Sequence, residues 1–140
     1  MSTSDEAGVA VGTNGSVVGG IGVLLRFEGL ALFLAATMVF GLVHGHWSIY
    51  ALLFLSPDLS LAAYLAGPKA GAIAYNTLHS SIGPLLLGLA AVSGAIAAAG
   101  PMALIWLAHI GFDRAAGFGL KYASAFGDTH LGSARAASTR

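Results

Sequence analysis

The chain has 140 residues, 56% hydrophobic and 9% charged, with no cysteine and six Lys and Arg balancing six Asp and Glu. Soluble domains carry about 25% charged residues, so a mean hydropathy of +0.81 leaves too little polar surface for water and predicts an integral membrane protein. Missing thiols exclude disulfides, iron–sulfur ligation and sulfur-ligated zinc; zero net charge excludes a nucleic-acid footprint; and the length leaves no room for a soluble catalytic domain beside four spans of about 20 residues.

In chain order, residues 1–23 begin with Asp5 and Glu6, lack a basic region and are rich in glycine from Gly12 to Gly22. They read as a flexible tail, neither a secretory leader nor a phosphate loop, since no Gly-Lys-Ser/Thr follows. Four apolar spans are expected next, about Leu24 to Val43, Trp47 to Ala66, Ala70 to roughly Val92, and Met102 to about Gly119. His44-Gly45-His46, Gly67-Pro68-Lys69 and Gly100-Pro101 supply turns between them. The expected fold is all-α, a polytopic four-helix up-and-down bundle over residues 24–119. A cytoplasmic cap segment over 120–132 and a disordered tail over 133–140 complete the chain.

The cations orient the bundle. Arg26 precedes the first span, Lys69 lies between the second and third, and Arg114, Lys121, Arg135 and Arg140 end or follow the fourth. The positive-inside rule puts both termini and the Lys69 turn in the cytoplasm, and the expected location is a cell's inner membrane, crossed several times. Trp47, Tyr50, Tyr64, Tyr75 and Tyr122 are expected as interfacial anchors, whereas Trp106 is deep enough to pack on a neighbour. The third apolar run extends from Ala70 to Ala99, about 45 Å as helix; a kink at Pro84 and an end near Ser93-Gly94 are the alternatives.

Ionisable groups inside a bilayer are costly and mark function. Counting rise along the spans puts Asp58, His79 and His109 near mid-depth, with Asp113 one turn further in, at the level of Asn76. Asn76 and His79 are three apart, His109 and Asp113 four apart, so each pair shares a helix face. These residues form a candidate inward cluster. Two imidazoles and two carboxylates are a ligand set for zinc, manganese or iron, with Asn76, Arg114 and His130 as supporting polar groups. Glu28, in the first turn of its span, and Asp128, in the cap, are candidate general bases. Three readings stay open: a metal site, an ion-paired network fixing helix register, and a proton or ion path, which would require a homo-oligomer. His44 and His46 are read as solvated turn residues.

Three stretches carry a resemblance: Leu25-Arg26-Phe27-Glu28-Gly29, Phe54 to Ser60 with Tyr64 to Pro68, and Trp106 to Arg114 leading to Lys121-Tyr122 and Asp128 to Gly132. With Tyr75-Asn76 and His79 they resemble a bacterial integral-membrane family described as domain of unknown function 4260, over about Leu24 to Gly132. The order Pro57-Asp58, His79, His109 and Asp113 is also similar to that of bacterial membrane-bound metal-dependent hydrolases. That likeness implies a divalent ion held by Asp58, His79, His109 and Asp113 and supplies no substrate; the expected activity on the metal reading is hydrolysis of a lipid-linked or amphiphilic substrate.

Overall fold

The computed structural model describes residues 16–17, 19–43, 45–96 and 98–133. Residues 1–15 of the tail expected over 1–23, His44, and residues 134–140 of the disordered stretch expected over 133–140 lie outside the described residues, while Ser133 of that stretch pairs in a strand. Five α-helices follow one another: α1 (Gly20–Leu42), α2 (Trp47–Phe54), α3 (Pro68–His79), α4 (Ile82–Val92) and α5 (Ala99–Ala116). A 3-10 helix, Ser56–Ala66, continues α2, and a two-stranded hairpin, β1 (Asp128–Thr129) and β2 (Gly132–Ser133), follows α5. The first helix starts at Gly20, four residues before the expected span, because an apolar stretch that needs no cap simply extends into the glycines. The fourth apolar segment is likewise shifted, to Ala99–Ala116.

Two expected spans are broken, each by a proline. Proline has no N–H and its ring collides with the carbonyl four residues back. Pro57 therefore ends the α2 pattern. The Leu53 carbonyl left without its partner accepts a hydrogen bond from Ser56 Oγ at 2.7 Å, and the chain continues for 11 residues as 3-10 helix. Runs longer than 3–4 residues of this type are uncommon. Pro84 acts in the same way on Ser80, whose ψ of 139° is extended. The kink expected at Pro84 thus falls one turn earlier, at Ser80-Ser81, and Pro84 itself sits in the first turn of α4, where proline is tolerated. The segment also ends at Val92, so both expected devices are used.

The freed carbonyls at the Ser80 break have partners. Trp106 Nε1 donates to Leu78 O at 2.6 Å, and Arg114 donates to His79 O at 3.1 Å. Both donors come from α5, which is central: α1, α2 and α4 all pack on it. The crossing of α1 and α5 is very close, since a Cβ at Gly111 would lie 2.5 Å from Phe33 N and one at Gly29 would meet Ala115 N at 2.7 Å. Small residues at a crossing permit such approach, and Ala36, Ala103 and Ala108 extend the small buried surface.

Large apolar side chains face outward on nearly every helix, with Leu65 95%, Val92 88% and Leu52 78% exposed, whereas His79, His109 and Asp113 are buried. Water would penalise such a surface. Two helical stretches, Gly20–Leu42 with mean hydropathy 1.9 and Trp47–Ala66 with 1.6, are long and apolar enough to cross a membrane. The described ends of the chain meet at one pole, where Val17 N donates to His130 O at 2.8 Å.

Candidate metal centre

Three pieces of the fold bring their chemistry to one point. Pro57 sets the 3-10 helix that presents Asp58. The Ser80 break leaves His79 as the last residue of α3, and α5 carries His109 and Asp113 on one face. His79 Nε2 is 3.0 Å from His109 Nε2. It is 3.4 Å from both Asp58 Oδ1 and Asp113 Oδ2. His109 Nε2 is 3.6 Å from Asp58 Oδ1 and 3.8 Å from Asp113 Oδ2. All four donor atoms lie within 4.8 Å of one another. Ligands about 2.0 Å from a tetrahedral ion are separated by about 3.3 Å, so this buried cluster could hold a metal.

Neighbouring groups orient the donors. His79 Nδ1 lies 3.0 Å from Tyr75 O. Donation from Nδ1 to that carbonyl fixes the tautomer whose Nε2 lone pair faces the cluster, the arrangement usual for ligating histidines. The Tyr75 ring stacks on the His79 ring at 3.6 Å, and its hydroxyl donates to Asp113 Oδ2 at 3.0 Å. Phe54 meets the His109 ring edge-on at 5.4 Å. His109 Nδ1 is buried and has no hydrogen-bond partner among the described residues. Side-chain exposure is 1% for both histidines, 12% for Asp113 and 37% for Asp58. Access to the centre is therefore from the Asp58 side.

The supporting residues fall near the centre in other roles than expected. Asn76 makes a reciprocal pair with the Lys121 backbone, Nδ2 donating to Lys121 O at 2.8 Å and Oδ1 accepting from Lys121 N at 2.7 Å. This pair pins the segment after α5 against α3. Arg114 donates from its guanidinium to the carbonyls of His79 and Phe118. His130 Nδ1 accepts from Leu120 N at 2.8 Å, folding the hairpin back on the chain. Burial, then the Arg114 charge, holds the His130 pKa below the ordinary histidine value.

The two acids expected as bases stand apart from the four donors. Glu28 is exposed and lines a hollow of about 180 Å³ with Ser81, Arg114 and His130. Asp128 lies in β1 and accepts from Ser124 Oγ at 2.8 Å. Tyr75, expected as an interfacial anchor, is instead buried and bonded to a candidate ligand; its position four residues before His79 was the available signal. Lys121 gave no such signal, because a cation after the last span reads only as topology.

A helical bundle enclosing a two-histidine, two-carboxylate centre is the class that fold and site define. Residues 22–134 match the model of the family described as a domain of unknown function (DUF4260), and the chain belongs to that family. No curated protein and no solved structure matches the chain.

Proposed function

We propose that the protein is a polytopic inner-membrane enzyme that uses a divalent ion, held by His79, His109, Asp113 and Asp58, to hydrolyse a lipid-like substrate. The observation that carries this reading is the convergence of two Nε2 atoms and two carboxylate oxygens, with separations of 3.0 to 3.8 Å. Nitrogen and oxygen donors without sulfur suit zinc, manganese or iron. Such an ion, when bound, would lower the pKa of a water molecule toward neutrality. The buried trio His79, His109 and Asp113 supplies a closed set of three ligands, and Asp58, on the open side, serves as a fourth ligand or as the base that takes a proton from water. Glu28 and Asp128 are the less favoured bases, since neither belongs to the cluster of converging donors.

An apolar cavity of about 220 Å³ lined by Leu53, Pro57, Leu78, Ile105 and Trp106 adjoins the residues that precede Asp58 and His79, and it suits the hydrocarbon part of an amphiphile. In this reading α3 with α4, and α5, cross the bilayer beside the two longer apolar stretches, with both termini cytoplasmic. The meeting of the chain's described ends at one pole and the position of the cations support that orientation.

Elemental analysis of detergent-purified protein tests the metal. About one equivalent of zinc, manganese or iron is expected in the native chain and loss of it in His79→Ala and His109→Ala; a native protein that acquires no ion from metal-supplemented buffer overturns the reading. One observation favours a second reading, a metal-free network that fixes helix packing or relays protons: the two imidazoles already satisfy each other at 3.0 Å. That reading predicts unchanged thermal stability on adding zinc.

A further inference from the structure

At the pole where Val17 meets His130, Arg26 and Lys121 line one hollow of about 260 Å³. Its walls are the first turns of α1, the end of α5 at Gly117 and Phe118, and the hairpin around Phe126 and Thr129, and no carboxylate is among its lining residues. Arg26 reaches over Gly117, where a Cβ would come within 2.5 Å of the guanidinium. The left-handed φ of 94° at Gly117 therefore closes α5 and also leaves room for this side chain.

Lys121 is only 8% exposed. Its Nζ donates to Phe126 O at 2.8 Å and lies 3.9 Å from the Phe126 ring centroid and 4.8 Å from that of Tyr75. Neither cation forms an ion pair among the described residues. A carbonyl and two ring faces offset part of the cost of burying an ammonium, but a counter-ion is the usual remedy. Asp113 bears on Lys121 electrostatically, and that carboxylate is one of the four donors of the candidate metal centre. Two cationic residues and no carboxylate therefore line the hollow.

We propose that the Arg26–Lys121 hollow binds a phosphate group. Phosphate offers several acceptor oxygens to a guanidinium fork and an ammonium together, and the start of a membrane-crossing helix is the depth at which lipid headgroups lie. The site goes beyond the metal reading and does not require it. Its phosphate comes either from a phospholipid headgroup or from free phosphate.

Thermal unfolding of the full-length protein in neutral maltoside detergent, titrated with inorganic phosphate and separately with dihexanoyl phosphatidic acid, tests the proposal. Saturable stabilisation is expected from the phosphatidic acid; stabilisation by inorganic phosphate as well extends the site to the free ion, and its absence confines the site to headgroups. Arg26→Gln, at an exposed residue, is expected to fold normally and to bind the effective probe about tenfold more weakly, the worth of one charge-assisted hydrogen bond. Lys121→Met is expected to act in the same direction. His109→Ala is expected to bind the probe as the native chain does, and Arg26→Gln to keep its metal content, so failure of one site is distinguishable from failure of the other. No saturable effect from either probe overturns the proposal, as does equal affinity in Arg26→Gln or binding lost only in His109→Ala.

Discussion

The Tyr75 hydroxyl decides where the Asp113 carboxylate points. Its hydrogen bond to Oδ2 and the stacking of its ring on His79 restrain two donors with one side chain. Removing the hydroxyl leaves the ring in place and releases the carboxylate. Tyr75→Phe is therefore expected to weaken zinc binding by about 10 to 100-fold, the usual penalty for losing an outer partner of a ligand, while the protein stays folded; competition with a chromogenic chelator measures it, and unchanged affinity would count against a metal at this centre. The four donors themselves were legible in the sequence because each is an ionisable group in an apolar run, with a helical spacing in the case of His109 and Asp113. Tyr75 and Trp106 were harder to assign, since an aromatic residue in a span is equally suited to the interface and to the interior, and only tertiary contacts choose.

At the scale of the element, the break between α3 and α4 depends on donors from α5. In a continuous helix Leu78 O would be bonded internally; here Trp106 Nε1 takes that part at 2.6 Å. Trp106→Phe is expected to lower stability by about 1 kcal/mol, because a part-buried carbonyl loses its partner, read as a fall in Tm with zinc omitted. The hairpin makes a different prediction, one of pH. Its His130 accepts the Leu120 N–H through a neutral ring nitrogen, and its pKa is held below the ordinary value of 6.5. The unfolded chain then takes up the proton first, so stability is full above about pH 6.5 and declines as the pH falls from there toward the folded-state pKa. His130→Gln should show a shallower decline in Tm between about pH 7 and pH 5; an identical slope would remove the role given to this residue. Prolines were visible in the sequence, but the 3-10 course of Ser56–Ala66 was not, because one proline permits either a kink in an α-helix or a change of helix type, and the outcome depends on what the next turn packs against.

For the whole molecule, large apolar side chains lie outside while His79, His109 and Asp113 are buried, and two helical stretches are long and apolar enough to cross a membrane. The four expected apolar segments were legible in the sequence, and they correspond to α1, to α2 with its 3-10 extension, to α3 with α4, and to α5. What composition left open was how closely the helices approach. Glycine reads first as a breaker, yet Gly29 and Gly111 lie inside helices and let α1 contact α5 backbone to backbone. Gly29→Val is expected to destabilise the fold by about 1 to 3 kcal/mol or more, as overpacking does, measured as a drop in detergent Tm; an unchanged Tm would mean that the crossing is looser than its contacts imply. Sidedness can be read in a chain with no native cysteine. Single cysteines at Lys69 and Ser93 are expected to react with an impermeant maleimide from opposite faces of the membrane, Lys69→Cys from the cytoplasm and Ser93→Cys from outside; labelling of both from one face would refute the topology.

The 3-10 course of Ser56–Ala66 gives Asp58 a property that the other three donors lack. A 3-10 helix rises about 2.0 Å per residue and an α-helix about 1.5 Å, so rewinding these 11 residues would shorten the segment by about 5 Å and rotate each side chain about its axis. Within the stretch Ser60 Oγ donates to Pro57 O, three residues back, at 2.7 Å. His79, His109 and Asp113 come from α-helices and Asp58 alone from the 3-10 stretch, so a change of helix type there would displace one donor relative to the other three.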